Sequence, residues 1–419
     1  MLTRRRARCG RPNGRGSAPG GHGGGEVVGA SWIKLAMAEY RDARVIRTSD
    51  WGALGMRNAS PLNLVGATRP EIAALLADLD PRPFRVQQVY HWVTRRFAGS
   101  IADMTDLSLA LRAALSQRAV LADPSLRAEH RGRDGTVKYA LELADGAVVE
   151  AVVMPGDDRT TLCLSSQAGC AMGCIFCVTG AFGAGRNLTA GEIFGQFRVL
   201  VRRGGLEGTP LNVVFMGMGE PLLNVAGVFG ALEFLYETVS PKRVTLSTSG
   251  IVSGLAKLAA LPRRPNLAVS LNATTQEQRQ RLMPVAARWP LDELMDALRR
   301  YPLERGRRIT IEYVLLGGEN DSLDDARRLA RLLRGLPVKV NLIPFNPDDE
   351  VLPGLVTPSP STVDAFGAFL ARAHLNVTVR WSRGREVLAA CGQLRGGLRN
   401  TAPVRRGQEE GAVRTTAAH

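Results

Sequence analysis

Lysine is scarce in this 419-residue chain: five of its 54 basic side chains are Lys and the rest are Arg. Coding sequence rich in G and C produces that bias, so the ratio alone assigns no function. Histidine is scarce too. Its five residues are scattered and form no pair at ligand spacing, which excludes a histidine-built metal centre. No run approaches the ~20 continuous apolar residues that span a bilayer. No Walker loop and no full G-x-G-x-x-G is present, which removes the familiar phosphate cradles. The basic N-terminus continues into Gly-rich sequence with no apolar core, so it is no secretory signal. With 45% hydrophobic and 22% charged residues the chain is also no disordered polymer, and its length excludes a small disulfide knot.

What is present begins with charge. The formal net charge is +15, and Arg4, Arg5, Arg6, Arg8, Arg11 and Arg15 supply only part of it. The remainder favours an anionic partner, RNA or DNA, over an acidic protein surface. Residues 1–58 read as a disordered or over-extended start, with Met37 and Met56 as alternative initiators. Residues 59–135 read as a small helical unit. Its opening is a capping box, Thr68-Arg-Pro-Glu71, ahead of the apolar run Ile72–Leu79. Further helical patterns cover Val86–Phe97 and Leu107–Ser116. Tyr139–Leu143 and Val148–Met154 alternate around Asp145-Gly146, a hairpin signal.

From residue 160, short apolar runs alternate with helical ones about six times. The strands expected are Thr161–Ser165, Leu211–Met216, Arg243–Ser247, Asn266–Leu271, Ile309–Leu315 and Val338–Ile343, with a last one at Asn376–Trp381. The fold class is therefore α/β, with a partial (βα)6 barrel over residues 136–396 and a polar tail at 397–419. In such folds chemistry gathers beyond the C-terminal ends of the strands. The loop after the first strand holds Cys170-Ala-Met-Gly-Cys174-Ile-Phe-Cys177.

Four of the six cysteines lie within fifteen residues, too crowded for a disulfide framework, and this suits metal or redox chemistry in a reducing, cytoplasmic compartment. Three thiolates on one loop can hold three irons of a [4Fe-4S] cluster and leave the fourth open to a small molecule. The alternative is a structural zinc completed by Cys163, in an RNA-binding protein without catalytic activity. Zinc ligands usually come as two separated C-x2-C knuckles, and only one is present. Met216-Gly-Met-Gly219-Glu220-Pro221 follows the second strand. There glycine permits close backbone approach to a ligand, and a carboxylate can accept from an ammonium group.

The C-x3-C-x2-C loop resembles that of the radical S-adenosylmethionine (SAM) enzymes. The wider set TLCLSSQAGC, GMGEPLLN, VTLSTSG, LIPFN and AACGQL, with Phe84–Trp92 and Met104-Thr-Asp106 in the small unit, resembles the RlmN family of dual-specificity 23S rRNA and tRNA adenine-C2 methyltransferases over residues 60–396. The related Cfr enzymes, which methylate adenine C8, share much of the pattern. The resemblance implies Cys170, Cys174 and Cys177 as cluster ligands and two SAM per turnover, one as methyl donor and one as radical source. It implies SAM contacts at Gly219, Glu220, Ser247, Ser270, Leu271, Asn272 and Asn346, where Asn272 replaces a His found in many members. It further implies Cys391 as methyl carrier, Cys163 as the thiol that releases the product through a transient disulfide, and Glu150 as proton acceptor. The substrates would be 23S rRNA in a protein-poor precursor and the adenine 3′ to the anticodon in certain tRNAs. An electron donor such as flavodoxin or ferredoxin, a soluble monomer and no membrane partner complete the expectation. Arginines at 82, 85, 95 and 96, at 198, 202 and 203, and at 380, 383 and 385 are candidate phosphate contacts or solvated faces.

Overall fold

The computed structural model describes residues 61–396. The expected disordered start, the alternative initiators, Cys9 and the polar tail lie outside the described residues. Three helices, α1 (Arg69–Leu76), α2 (Pro83–Thr94) and α3 (Leu109–Ser116), build the small unit. The short parallel pair β1 (Leu62–Asn63) and β2 (Ala119–Val120) joins its two ends. Thr68 and Glu71 satisfy each other's backbone donors in the expected capping box.

A ten-stranded sheet forms the rest of the frame. Its antiparallel edge is β3 (Ser125–Arg131), β4 (Val137–Glu142) and β5 (Val148–Met154), and β5 pairs antiparallel with β6 (Thr160–Cys163). The short pair β7 (Gln167–Ala168) and β8 (Arg186–Asn187) brackets the cysteine loop. From β6 the sheet runs parallel through β9 (Leu211–Phe215), β10 (Val244–Thr248), β11 (Asn266–Ser270), β12 (Ile309–Leu315), β13 (Val338–Pro344) and β14 (Val377–Val379). The outermost strands β3 and β14 do not pair, so the barrel is partial. Helices α4 (Val178–Phe182), α5 (Ala190–Gly204), α6 (Val225–Leu235), α7 (Val252–Ala259), α8 (Gln276–Leu282), α9 (Leu291–Arg300), α10 (Leu323–Leu332) and α11 (Pro360–Arg372) lie between the parallel strands. Among the described residues no helix is long and apolar enough to cross a membrane.

Two features differ from the sequence reading. Strand β3 lies within the segment assigned to the helical unit. It is an edge strand of mostly polar residues with a register shift between Leu126 and Ala128, so no clean alternation marks it. The single helical run expected after the strand Asn266–Leu271 is two helices, α8 and α9, separated by a tight turn from Pro284 to Ala287.

The small unit is riveted to the barrel through α5. Phe194 and Phe197 are fully buried there, and Phe194 stacks on Phe234 at 5.3 Å while Phe97 meets Phe197 edge-on at 5.8 Å. Arg198, one of the candidate phosphate contacts, is fully buried instead. It pairs with Asp123 at 2.6 Å and donates to the carbonyls of Val93 and Ala98. An Asp123→Ala substitution strands that guanidinium without its counter-charge. It is expected to lower stability by about 3–5 kcal/mol, read as a lower denaturant midpoint with an unchanged slope.

Candidate active site

The C-terminal ends of the parallel strands open into a cavity of about 930 Å³. Cys170, Cys174 and Cys177 form one wall. Their loop is fastened by backbone bonds from Cys170 N to Gly183 O (2.8 Å), from Ile175 N to Leu282 O (3.1 Å) and from Val178 N to Gly392 O (2.7 Å). Burial pushes the Cys170 thiol up to about 12, with the nearby Cys177 adding to it, and raises Cys174 and Cys177 as well. Three crowded thiols of this kind are poor free thiolates, and a bound metal cluster would deprotonate them. Among the described residues no three His, Cys, Asp or Glu side chains close on one point as a single ion would require. Three thiols lining one cavity can ligate three irons of a cubane cluster.

The facing wall is the turn after β9. Gly219 has φ +99°, and a Cβ there would lie 2.5 Å from Cβ of Gln167. Gln167 in turn accepts from the Glu220 amide at 2.8 Å, which fixes the turn beside the cysteine loop. Glu220 is buried, and both its oxygens are oriented: Oε2 accepts from the amide and hydroxyl of Ser249, each at 2.7 Å, and Oε1 from Leu222 N at 2.9 Å. Burial raises its pKa above the ordinary carboxylate value despite the Ser249 donors. Gly219→Ala is expected to weaken SAM binding about 5- to 150-fold, corresponding to the 1–3 kcal/mol of a strained backbone. Equilibrium binding by the iron-loaded protein checks this, with iron content unchanged.

Ser247, Ser270, Asn272 and Asn346 line the same cavity, whereas Leu271 is buried behind it with its amide bonded to Glu312 O. Asn272 sits at φ +57°, a left-handed conformation that Asn tolerates better than most residues. Its Oδ1 accepts from Val314 N at 2.8 Å and its Nδ2 faces the Met283 sulfur at 3.3 Å, so the side chain is locked at the cavity edge. Asn346 donates to Ser382 Oγ at 2.9 Å and to the Cys391 carbonyl at 3.1 Å, tying the end of β13 to the Cys391 segment. One lining residue escaped the sequence reading. Glu312, buried on β12, accepts from Ser247 Oγ at 2.7 Å and Ser270 Oγ at 3.5 Å. A lone carboxylate inside the apolar strand Ile-Thr-Ile-Glu-Tyr-Val-Leu was the available signal.

A second cavity of about 1020 Å³ lies beside the first. Cys391 and Met216 border both cavities, and Cys163 faces the second. The two cysteines that the resemblance singled out therefore share one chamber. Burial pushes the Cys163 thiol up to about 12, with the neighbouring Cys391 adding to it; Cys391 is raised by burial and drawn back by Arg380. Glu150 lines neither cavity. It is buried on β5, its Oε1 paired with Lys138 Nζ at 3.2 Å and its Oε2 accepting from Arg395 N at 2.7 Å.

Of the candidate phosphate contacts, Arg198 is consumed internally as described. Arg82 and Arg85 pair with Asp80, Arg95 with Glu237 and Arg202 with Asp123. Arg380 and Arg383 line the second cavity.

The radical SAM superfamily profile matches residues 164–333, and the ribosomal RNA large subunit methyltransferase N-terminal domain profile matches residues 62–121. A dual-specificity RNA methyltransferase RlmN of Geotalea uraniireducens is 47% identical over 335 residues, covering 79% of this chain and 96% of that protein. One from Anaeromyxobacter dehalogenans is 47% identical over 77% of this chain and 89% of its own length. A crystal structure of a radical SAM methyltransferase from Sphaerobacter thermophilus superposes with a TM-score of 0.76 at 42% identity, covering 80% of this chain and all of that one. Both profiles match in order along the chain and relatives 47% identical cover most of both lengths, so the chain belongs to the RlmN family of radical SAM dual-specificity RNA methyltransferases.

Proposed function

We propose that this protein methylates C2 of an adenine in 23S rRNA and of the adenine 3′ to the anticodon in certain tRNAs, using two SAM per turnover. The observation that carries the reading is the position of Cys391 at the junction of two cavities, one walled by three thiols and the Gly219-Glu220 turn, the other holding Cys163. Family membership makes the protein an enzyme, which removes the zinc-stabilised, non-catalytic alternative.

Cys170, Cys174 and Cys177 would hold the [4Fe-4S] cluster, with Glu220 receiving the ammonium of SAM. When bound, that pair supplies a radical strong enough to take hydrogen from a methyl group. The need for it is chemical, because C2 of adenine is electron-poor and does not attack a sulfonium methyl. Cys391 first accepts a methyl from SAM on its sulfur and holds it at the mouth shared by both cavities. Asn346 and the Val178 amide fix the backbone just after that sulfur, through the Cys391 and Gly392 carbonyls. Once the carbon joins C2, the adduct gives up one electron to the redox partner and loses the C2 proton. Cys163 then attacks the Cys391 sulfur, and the S–C bond breaks as the S–S bond forms. The electron pair and the thiol proton pass to the carbon to complete the methyl group, and an external two-electron reductant resets the disulfide. The target adenine leaves its stack to reach the Cys391 sulfur in the cavity. A flavodoxin- or ferredoxin-type donor supplies electrons to a monomeric enzyme of the cytoplasm.

Anaerobically reconstituted protein given rRNA and tRNA fragments tests this. Digestion and mass spectrometry are expected to yield 2-methyladenosine in both RNAs. A product of 8-methyladenosine would assign the Cfr-like regiochemistry, and no methylated base with active SAM cleavage would overturn the reading.

A further inference from the structure

Trp381 stands out among the described tryptophans. Trp92 donates its indole N–H to Asp106 and lies under Arg96, and Trp289 lies under Arg288. Among the described residues no ring or guanidinium stacks on Trp381. It is 49% exposed, although a large ring left half in water forgoes much of its burial energy. It follows β14 and lines the second cavity with Arg380, Arg383, Cys163 and Cys391. Arg383 is fastened to the Pro155 carbonyl, so the rim is held in place. An open indole face beside two cations, at the mouth of a chamber with a reactive sulfur on its wall, matches a flat base joined to phosphate. The two flanking cations favour a phosphate-bearing ligand over a neutral peptide or lipid tail, and duplex RNA keeps its bases stacked.

We propose that the second cavity takes an unstacked nucleotide of the RNA substrate and that Trp381 stacks on its base at the rim. This rests on the functional reading above and adds the residue that holds the substrate open. Base–aromatic stacking is sequence-tolerant, so one platform would serve both rRNA and tRNA.

The test uses the full chain with its cluster reconstituted and a fluorescein-labelled tRNA anticodon stem–loop, read by anisotropy. Trp381→Ala is expected to weaken RNA binding about 5- to 150-fold, which is the ~1–3 kcal/mol of one stacked base. Trp381→Phe is expected to stay within about threefold of wild type, because it keeps a π face. The loss should persist as salt is raised, unlike that of Arg383→Gln, which should shrink because it removes a charge contact. Wild-type affinity in Trp381→Ala, or an equal loss in Trp381→Phe, overturns the proposal, as does a matching loss of SAM affinity, which would mark the ring as structural. Wild-type protein that binds the stem–loop but forms no methyladenosine overturns the functional reading and leaves the stacking assignment standing. Wild-type protein that does not bind RNA overturns both.

Discussion

Replacing Cys163 with Ala is expected to turn the enzyme into a single-turnover protein that ends covalently joined to its RNA. The two sulfurs occupy one chamber, with Cys391 also reaching the cavity of the cluster loop. If Cys391 carries the carbon to the base, the adduct breaks only when a second thiol attacks the Cys391 sulfur. Cys163 is the other cysteine lining that chamber. A labelled stem–loop should therefore migrate with the Cys163→Ala protein on a denaturing gel, while Cys391→Ala forms neither adduct nor product. Both variants should keep their iron, since neither residue is on the cluster loop. Multiple-turnover methylation should fall by about 10³-fold or more in each, as for residues acting as one unit. Free turnover by Cys163→Ala would remove its assigned role. The release step also carries a pH signature. The Cys163 thiol is held near 12 by burial, so its thiolate fraction rises about tenfold per pH unit below that value. Single-turnover release is accordingly expected to quicken with rising pH through the neutral and mildly alkaline range, and a flat profile would assign release to another group.

The barrel was legible because each parallel strand is a short apolar run closed by a helix signal, and the observed bounds of β9, β11, β12 and β13 lie within a residue of the expected ones. Thr68 announced α1 because its capping-box partner Glu71 lies three residues on in the chain. The chemistry of the cluster loop was legible for the same reason: its three thiols are local. What stayed hidden depends on distant pairing. Strand β3 earns its place only by pairing with β4, since its own residues are largely polar. Arg198 looked like its neighbours Arg202 and Arg203 until the small unit folded over it and brought Asp123 to its guanidinium. Glu312 reads as one polar residue on a strand, and only the parallel pairing of β10, β11 and β12 brings Ser247 and Ser270 onto its carboxylate. The junction of the two cavities at Cys391 is likewise a property of the assembled sheet, because Cys163 and Cys391 lie 228 positions apart in the sequence.

Glu150 offers the other large effect, because two roles for it predict opposite outcomes. The resemblance assigns it as proton acceptor, yet its carboxylate is occupied by Lys138 Nζ and Arg395 N and borders neither cavity. Lys138 also donates to Leu388 O at 3.2 Å, so the pair grips the carrier segment on both sides of Cys391. Removing the carboxylate alone, in Glu150→Ala, deprives an ammonium that is 1% exposed of the carboxylate 3.2 Å from it. That is expected to cost about 3–5 kcal/mol of stability and to loosen the segment, so methylation should fall together with the melting temperature. The double variant Lys138→Met, Glu150→Gln removes both charges and keeps an acceptor for Arg395 N. Replacing a whole buried ion pair with neutral groups is often close to neutral, and coupled sites show this as a non-additive recovery. We expect the double variant to regain wild-type stability and methylation within about tenfold, the outcome that a positioning role for Glu150 predicts. A proton acceptor predicts otherwise: stability would return while methylation stayed down by about 10²–10⁴-fold, the usual contribution of a general base. Paired thermal unfolding and single-turnover methylation on the two variants separate these outcomes.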